Sequence, residues 1–413
     1  MDERDPLKEF RERFLFPKTR GGDCVYLCGH SLGLQPKAAA QYIEQELKDW
    51  AQLGVEGHFR AKNPWMPYHR LLTEQTAELV GAKPVEVVVM NSLTVNLHLM
   101  MVSFYRPTKE RHKIVVERGA FPSDQYAVQS QIRFHGFDPA TSLIELAPRP
   151  DEACLRDEDI DSVIERAGDE TALILLGGVN YSTGQAFDMA RITRLGHERG
   201  CVVGFDLAHA AGNLLLRLHE WGPDFAAWCS YKYLNGGPGC VAGCFVHERD
   251  ARAWGLPRFA GWWGHDEQSR FEMGPEFRAM PGAEGWQLSN PPIVSLAILR
   301  ASMDVFQEAG MENLRAKSVS MTGYLEFLLK QLQEKQNVSP RFAIITPVEH
   351  ERRGAQISIR IYQHGRALCE RLAQDGIFGD WREPDIFRVA PVPLYNSYHD
   401  VFRFVRRFAD AIG

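Results

Sequence analysis

Cys201-Val-Val-Gly-Phe-Asp206-Leu-Ala-His209, followed by Cys229-Ser-Tyr231-Lys232-Tyr-Leu-Asn-Gly236-Gly237-Pro238-Gly239, is the stretch on which the reading of this chain turns. Its first part is an apolar strand that ends in a carboxylate. Open α/β sheets bind their ligands at the carboxyl ends of strands, so an acid there is placed for chemistry. An imidazole follows three residues later. It suits either a ring stacked on an aromatic ligand or a core histidine beside an Asp that caps the next turn. In the second part a lysine sits between Ser, two tyrosines and an apolar run, a poor setting for a mere surface charge. Amine nucleophiles act as the neutral form, which desolvation or a neighbouring cation favours. The glycines after it let backbone pass close to a ligand or a partner strand.

Working outward, the middle of the chain alternates strand and helix signals. Glu86–Met90, Lys113–Glu117, Thr171–Leu176, Cys201–Asp206 and Cys240–Val246 are continuous apolar runs, as expected of strands covered on both faces. Between two of them, Met189, Ile192 and Leu195 recur at helical spacing and Gly200 supplies a stop. Thr171–Asp206 is therefore expected to be a βαβ unit of an α/β layer domain. Toward the N-terminus, Ala40, Ile43, Leu47, Trp50 and Ala51 form an apolar stripe before Gly54. After Asn290-Pro291-Pro292 helical patterns run to about Gln336, and Val401, Val405, Phe408 and Ile412 share one helical face near the end. Arg403, Arg406 and Arg407 fall elsewhere on that helix and read as a solvated face. The expected organisation is a large α/β domain over 50–295 and a smaller one from 1–49 plus 296–413.

Composition narrows the function classes. The net charge of −6 gives no basic footprint for nucleic acid. The opening MDERDPLKEFRERF alternates charges without the apolar core of a signal peptide, and runs such as Leu93–Tyr105 are too short and too polar to cross a bilayer. A cytoplasmic protein with reduced thiols is the expectation. Cys24/Cys28 and Cys240/Cys244 are spaced too widely for zinc knuckles, and no metal is expected.

Two further segments bear on chemistry. Asn91-Ser-Leu93-Thr94-Val-Asn-Leu-His98 follows a strand, so its hydroxyls and free N–H groups suit an anion such as a phosphate, unless Ser or Thr only caps the helix. Ala120-Phe121-Pro122-Ser123-Asp124 follows another, with an aromatic ring to stack and an acid to reach a ring edge, or simply a Pro/Asp turn. An imine-forming lysine 26 residues after an Asp-x-x-His strand end is what pyridoxal 5′-phosphate requires, because its ring nitrogen needs an acidic partner.

Together these segments resemble the fold-type I pyridoxal-phosphate enzymes of the aspartate aminotransferase superfamily, and in detail the kynureninase family. The matches run in family order along the chain. They include Gly29-His-Ser-Leu-Gly-Leu-Gln-Pro36, Asn180-Tyr-Ser-Thr-Gly-Gln185, Gly204-Phe-Asp-Leu-Ala-His-Ala-Ala-Gly-Asn213, Trp228-Cys-Ser-Tyr-Lys-Tyr-Leu-Asn235, Gly261-Trp-Trp-Gly-His265, Ser289-Asn-Pro-Pro292 and Phe387-Arg-Val-Ala-Pro-Val-Pro-Leu-Tyr-Asn396. The resemblance implies a large, mostly parallel seven-stranded sheet with a smaller α+β domain, and a homodimer with a shared active site. It implies hydrolytic Cβ–Cγ cleavage of kynurenine or 3-hydroxykynurenine to the anthranilate and alanine, serving tryptophan breakdown or nicotinamide cofactor synthesis. Lys232 would hold the cofactor and shuttle protons, with help from Tyr231. Asp206 would pair with the ring nitrogen, assisted by His209 and Asp124, with Phe121 against the ring in the Phe121-Pro122-Ser123-Asp124 segment. Leu93, Thr94, Tyr231, Trp262 and Asn290 would surround the phosphate and the site wall, and Arg388 would grip the substrate's α-carboxylate.

His58, Ser289 and Asn290 resemble the polar pocket of animal-like members, which implies a preference for the 3-hydroxylated substrate. One departure stands out: where relatives often carry a hydroxyl residue, this chain has Gly177. The rival readings are a cysteine desulfurase-like lyase, whose mobile-loop cysteine has no evident counterpart here, and a pyridoxal-phosphate-binding protein without turnover.

Overall fold

The computed structural model describes residues 1–19, 22–251, 255–334 and 341–412. Apolar, β-branched runs form strands β1 (Val87–Met90), β2 (Lys113–Glu117), β3 (Leu143–Leu146), β4 (Thr171–Gly177), β5 (Val202–Asp206), β6 (Phe225–Trp228) and β7 (Ala242–Val246). They make one seven-stranded sheet in the order β1-β7-β6-β5-β4-β2-β3. β7 runs antiparallel to β6 and β1, and the β6-β5-β4-β2-β3 pairs are parallel. Helices α1 (Ala39–Leu53), α2 (Leu93–Phe104), α3 (Pro122–Phe134) and α4 (Met189–Glu198) occur among these strands in the chain or precede them. Helices α5 (Ile293–Ala309) and α6 (Met311–Glu334) follow the sheet. The last segment folds into a four-stranded antiparallel sheet of β8 (Phe342–Ile344), β9 (Ile357–Ile361), β10 (Asp380–Arg382) and β11 (Ile386–Val389), in the order β8-β9-β11-β10, and ends in α7 (Tyr398–Ile412).

Where the fold departs from the sequence expectations, the causes are local. β3 and β6 were not foreseen. Each has only four residues, and β3 lies at the sheet edge with Glu145 within it, so neither carries a long apolar signal. β7 begins at Ala242 rather than Cys240, because the loop before it turns through positive φ at Gly237 and Gly239. The thiols of Cys240 and Cys244 are buried and unpaired, as structural cysteines are. The helical pattern expected to reach Gln336 is helix as far as Glu334, and Gln336 lies outside the described residues.

The α1 stripe is the clearest correction. Leu47 and Trp50 are exposed, whereas Glu46 and Asp49 are buried. Glu46 accepts from Tyr68, Asn63 and Trp65, and Asp49 accepts from the Lys62 backbone N–H. Satisfied in this way, the acids take the inner face and leave the apolar residues outside.

Gly204 shows how closely the central strands are packed. It pairs with Phe225 across β5 and β6, and a Cβ at Gly204 would lie 2.2 Å from the Phe225 ring. Gly204→Ala is expected to destabilise the chain by about 1–3 kcal/mol, through overpacking that the rigid sheet cannot relax. A lower urea midpoint at unchanged slope is the result that checks it.

Candidate active site

Parallel strands that end together bring their last residues to one edge. Asp206 closes β5 in register with Gly177 of β4, while Glu117 closes β2. The starts of α2 and α3 meet the same edge. The result is a cleft of about 160 Å³ whose lining includes Ser92, Leu93, Thr94, Asp124, His209 and Lys232. Glu117, Phe121, Ser123, Gly177, Asn180, Tyr181, Asp206 and Tyr231 line it as well.

Lys232 Nζ lies 3.2 Å from His209 Nε2 and 5.8 Å from the ring centroids of both Phe121 and Tyr231. Burial pushes His209 well below its ordinary range, reinforced by the charges of Lys232 and Arg388, so the ring is neutral. Its Nδ1 is buried without a partner, which leaves the imidazole unlike a satisfied core histidine. Asp206 Oδ1 accepts from the Ala208 N–H at 2.7 Å, the capping role open to it from sequence, yet the same carboxylate also lines the cleft. Burial raises Asp206, with the Lys232 charge and the Ala208 N–H pulling the other way. Asp124 is raised further, by burial and then by the neighbouring Asp206 charge, and the two acids share a hydrogen bond.

The arrangement fits a phosphorylated pyridine. The buried acid pair carries a negative charge that a protonated ring nitrogen would offset. At the other end, Ser92 stands at the N-cap position of α2 without a capping hydrogen bond of its own, so its hydroxyl and the first N–H groups of the helix are available to an anion. Phe121 meets Tyr181 edge to face at 5.3 Å and flanks the cavity between these poles.

Arg388, on β11, lies behind this wall with 1% exposure. Its Nη1 donates to the Tyr181 carbonyl at 2.7 Å, and its Nη2 donates to Ser31 Oγ at 3.1 Å and pairs with Asp380. Its Nε is buried without a partner. Burial alone would raise Asp380, but Arg388 and its neighbours hold it below the usual carboxylate range. The four residues His58, Trp262, Ser289 and Asn290 are outside the cleft lining of their own chain. His58 sits edge-on to Trp65 with Nδ1 at 3.0 Å from the Val55 carbonyl. Trp262 donates to the Arg270 carbonyl, and Ser289 and Asn290 are exposed. Pro122 occupies the first turn of α3.

Three features of the site were missed in the sequence reading. Glu117 is fully enclosed at the end of an apolar strand, the same signature that marked Asp206. Asn180 and Tyr181 lie in a segment quoted only for its resemblance. Gly177 is now explained: its N–H donates to Glu117 Oε1 at 2.8 Å, and a Cβ there would stand 2.9 Å from that oxygen. A separate trio, Glu86, His219 and His247, brings ligand-type atoms within 4.8 Å of one another. Its carboxylate is already used by the N–H groups of Lys83 and Glu248 and by His219 Nδ1, which makes it a structural tie.

Comparison with known proteins adds an independent line. Residues 314–408 match the family model described as the kynureninase C-terminal domain. The chain is 70% identical to a kynureninase from Koribacter versatilis, covering 99% of this chain and 95% of that one. It is 61% identical to a kynureninase from Myxococcus xanthus, covering 98% and 94%. Among solved structures, the cystine C-S lyase C-DES superposes with a TM-score of 0.80 at 18% identity, over 94% of this chain and 97% of that one. The cysteine desulfurase CsdA from Escherichia coli gives 0.76 at 18%, over 98% and 97%. At such identities these structures speak for the fold alone.

The acid pair gives a pH prediction. Asp124 has a folded-state pKa above its unfolded value of about 3.9, so the folded chain holds the extra proton and loses stability as pH rises from there. In the cofactor-free protein, Asp124→Asn is expected to melt about 1–3 °C above wild type near pH 8 and to converge with it only below about pH 4. Thermal midpoints across that range check this.

Proposed function

The chain belongs to the kynureninase family and hydrolyses kynurenine with pyridoxal phosphate as cofactor, and on that premise we propose which side chains carry the reaction and which substrate it favours. When bound, the cofactor supplies an electron sink joined to the substrate's Cα. Asp206, backed by Asp124, keeps the ring nitrogen protonated. Lys232 would hold the cofactor, and its amine would take the proton from the substrate's Cα and give it back later in the reaction. Neutral His209 would pack against the cofactor without adding a charge beside Lys232. Leu93 and Thr94 hold the phosphate at the head of α2, and Tyr231 assists proton transfer. Arg388 would pair with the substrate's α-carboxylate, a task the planar guanidinium suits. Water added at the γ-carbonyl then releases the aromatic acid, and alanine follows. The observation that carries this reading is the single cleft in which Lys232, neutral His209 and the Asp206–Asp124 pair meet.

The remaining wall comes from a second copy of the chain. His58, Trp262, Ser289 and Asn290 lie outside the cleft of their own chain, and exposed apolar side chains surround them. Trp50, Val55 and Phe59 flank His58, while Phe259, Phe271 and Met273 flank Trp262. Such surface is what an obligate homodimer covers. The eight unpaired cysteines favour a reducing, cytoplasmic setting.

The polar set selects the substrate. With His58 Nδ1 engaged by the Val55 carbonyl, Nε2 is left to accept from a ring hydroxyl, and Ser289 and Asn290 offer further polar partners. We expect kcat/KM for 3-hydroxykynurenine to exceed that for kynurenine by about tenfold, the worth of one good buried hydrogen bond. A higher value for kynurenine overturns the preference. The shared site has its own test. Lys232→Ala and Asn290→Ala chains, each nearly inactive alone, should recover roughly a quarter of wild-type activity when mixed as hybrid dimers, since half the dimers are hybrids with one intact site. No recovery above the parents would place Asn290 in its own chain's site.

A further inference from the structure

We propose that Glu117 is a positioning residue for the cleavage reaction: its carboxylate clamps Gly177 and Asn180, and so fixes the 178–184 loop that aims Arg388 at the substrate. The proposal rests on the reading above, in which Arg388 takes the substrate's α-carboxylate. Glu117 leaves β2 at the sheet edge and spans the cleft wall with both oxygens occupied. Oε1 accepts from the Gly177 N–H at 2.8 Å, and Oε2 accepts from Asn180 Nδ2 at 2.6 Å. A Cβ at 177 would stand 2.9 Å from Oε1, so a side chain there would push the carboxylate aside.

Asn180 passes the constraint on. Its Oδ1 accepts from the N–H groups of Ser182 (3.0 Å) and Thr183 (2.9 Å) and from the Thr183 hydroxyl (3.1 Å). Its amide therefore cannot turn over without losing three donors, and Nδ2 must face Glu117. The outer side of the loop then presents its carbonyls to the second sheet. Tyr181 accepts from Arg388 Nη1 at 2.7 Å and from Gln356 at 2.9 Å, and Ser182 accepts from Ser358 at 2.6 Å. With Nη1 held by Tyr181 and Nη2 by Ser31 and Asp380, the guanidinium of Arg388 is fixed in place, and only its buried Nε is left without a partner. The Glu117–Asn180 bond and the Tyr181–Arg388 bond are thus joined through the backbone of one short loop, which connects the acid cluster to Arg388.

The chain has a polarity that can be reversed. Glu117→Gln leaves one acceptor for two donors, so the Asn180 link is lost. Asn180→Asp sets two carboxylates against each other. In the double variant the amide on the strand donates to the carboxylate on the loop, so the link between positions 117 and 180 is remade with its direction reversed while the Gly177, Ser182 and Thr183 N–H groups keep their acceptors. We expect each single substitution to raise KM for kynurenine roughly tenfold while kcat stays within about threefold, the pattern of weakened substrate binding. Deuterium uptake at the amides of 178–184 in the cofactor-free protein should also quicken. The double variant should return both readouts to within about threefold of wild type, a coupling that independent sites do not show. Wild-type KM and exchange in both single variants would overturn the proposal, as would a double variant no better than the worse single. The reading beneath it fails differently: Arg388→Lys would leave KM for kynurenine at the wild-type value, whatever the exchange data give.

Discussion

Desolvated negative charge at the carboxyl edge of the large sheet is the constraint around which this molecule is built. Glu117, Asp124 and Asp206 come from neighbouring elements and converge within one cleft, and burial pushes all three upward, Glu117 to about 7. Isolated carboxylates do not tolerate such a setting. Each is therefore given a partner: the Ala208 N–H, the Gly177 N–H, the Asn180 amide, the Lys232 ammonium, or another acid's proton. What the protein alone leaves uncompensated is negative charge, which a protonated ring nitrogen of the cofactor would offset. Part of the chain's stability is thereby traded for cofactor binding.

The opposite end of the site is built from different material. Arg388 rests on β11, and Asp380 on the adjoining β10 lies opposite it in register. The segment around Cys28 to Gly33 crosses from this sheet to the lysine loop. Cys28 bridges to Ala390, while the Gly33 N–H donates to the Tyr231 carbonyl at 2.9 Å. His30 within it is fully buried, and burial keeps it neutral, so it adds no charge between Lys232 and Arg388. The two ends of the site are thus tied twice, by this crossing strand and by the 178–184 loop. Arg388 and Lys232 sit on separate parts of the fold held in fixed relation.

The apolar residues that α1 and the 255–290 segment leave outside follow the same logic. An inward-facing Glu46 binds three side chains of the following turn, which a leucine there would not do. The outward face is then free to be apolar, and it carries the His58 turn and the Trp262 loop on a surface suited to a second copy.

Much of this was legible in the amino-acid order, because it is local. Apolar runs ending in charged residues marked the strands and the edge where Asp206 and Glu117 sit, though only the first drew notice. The Asp-x-x-His and Tyr-Lys spacing pointed to the cofactor, and stretches matched in order along the chain pointed to the family. Tertiary structure alone decided what depends on residues distant in sequence: that Gly177 faces Glu117 across 60 positions, that Asp380 engages the arginine, and that Leu47 and Trp50 turn outward. The physical reason is that a side chain's partner, unlike its secondary structure, is set by strand order and register, which no local pattern encodes.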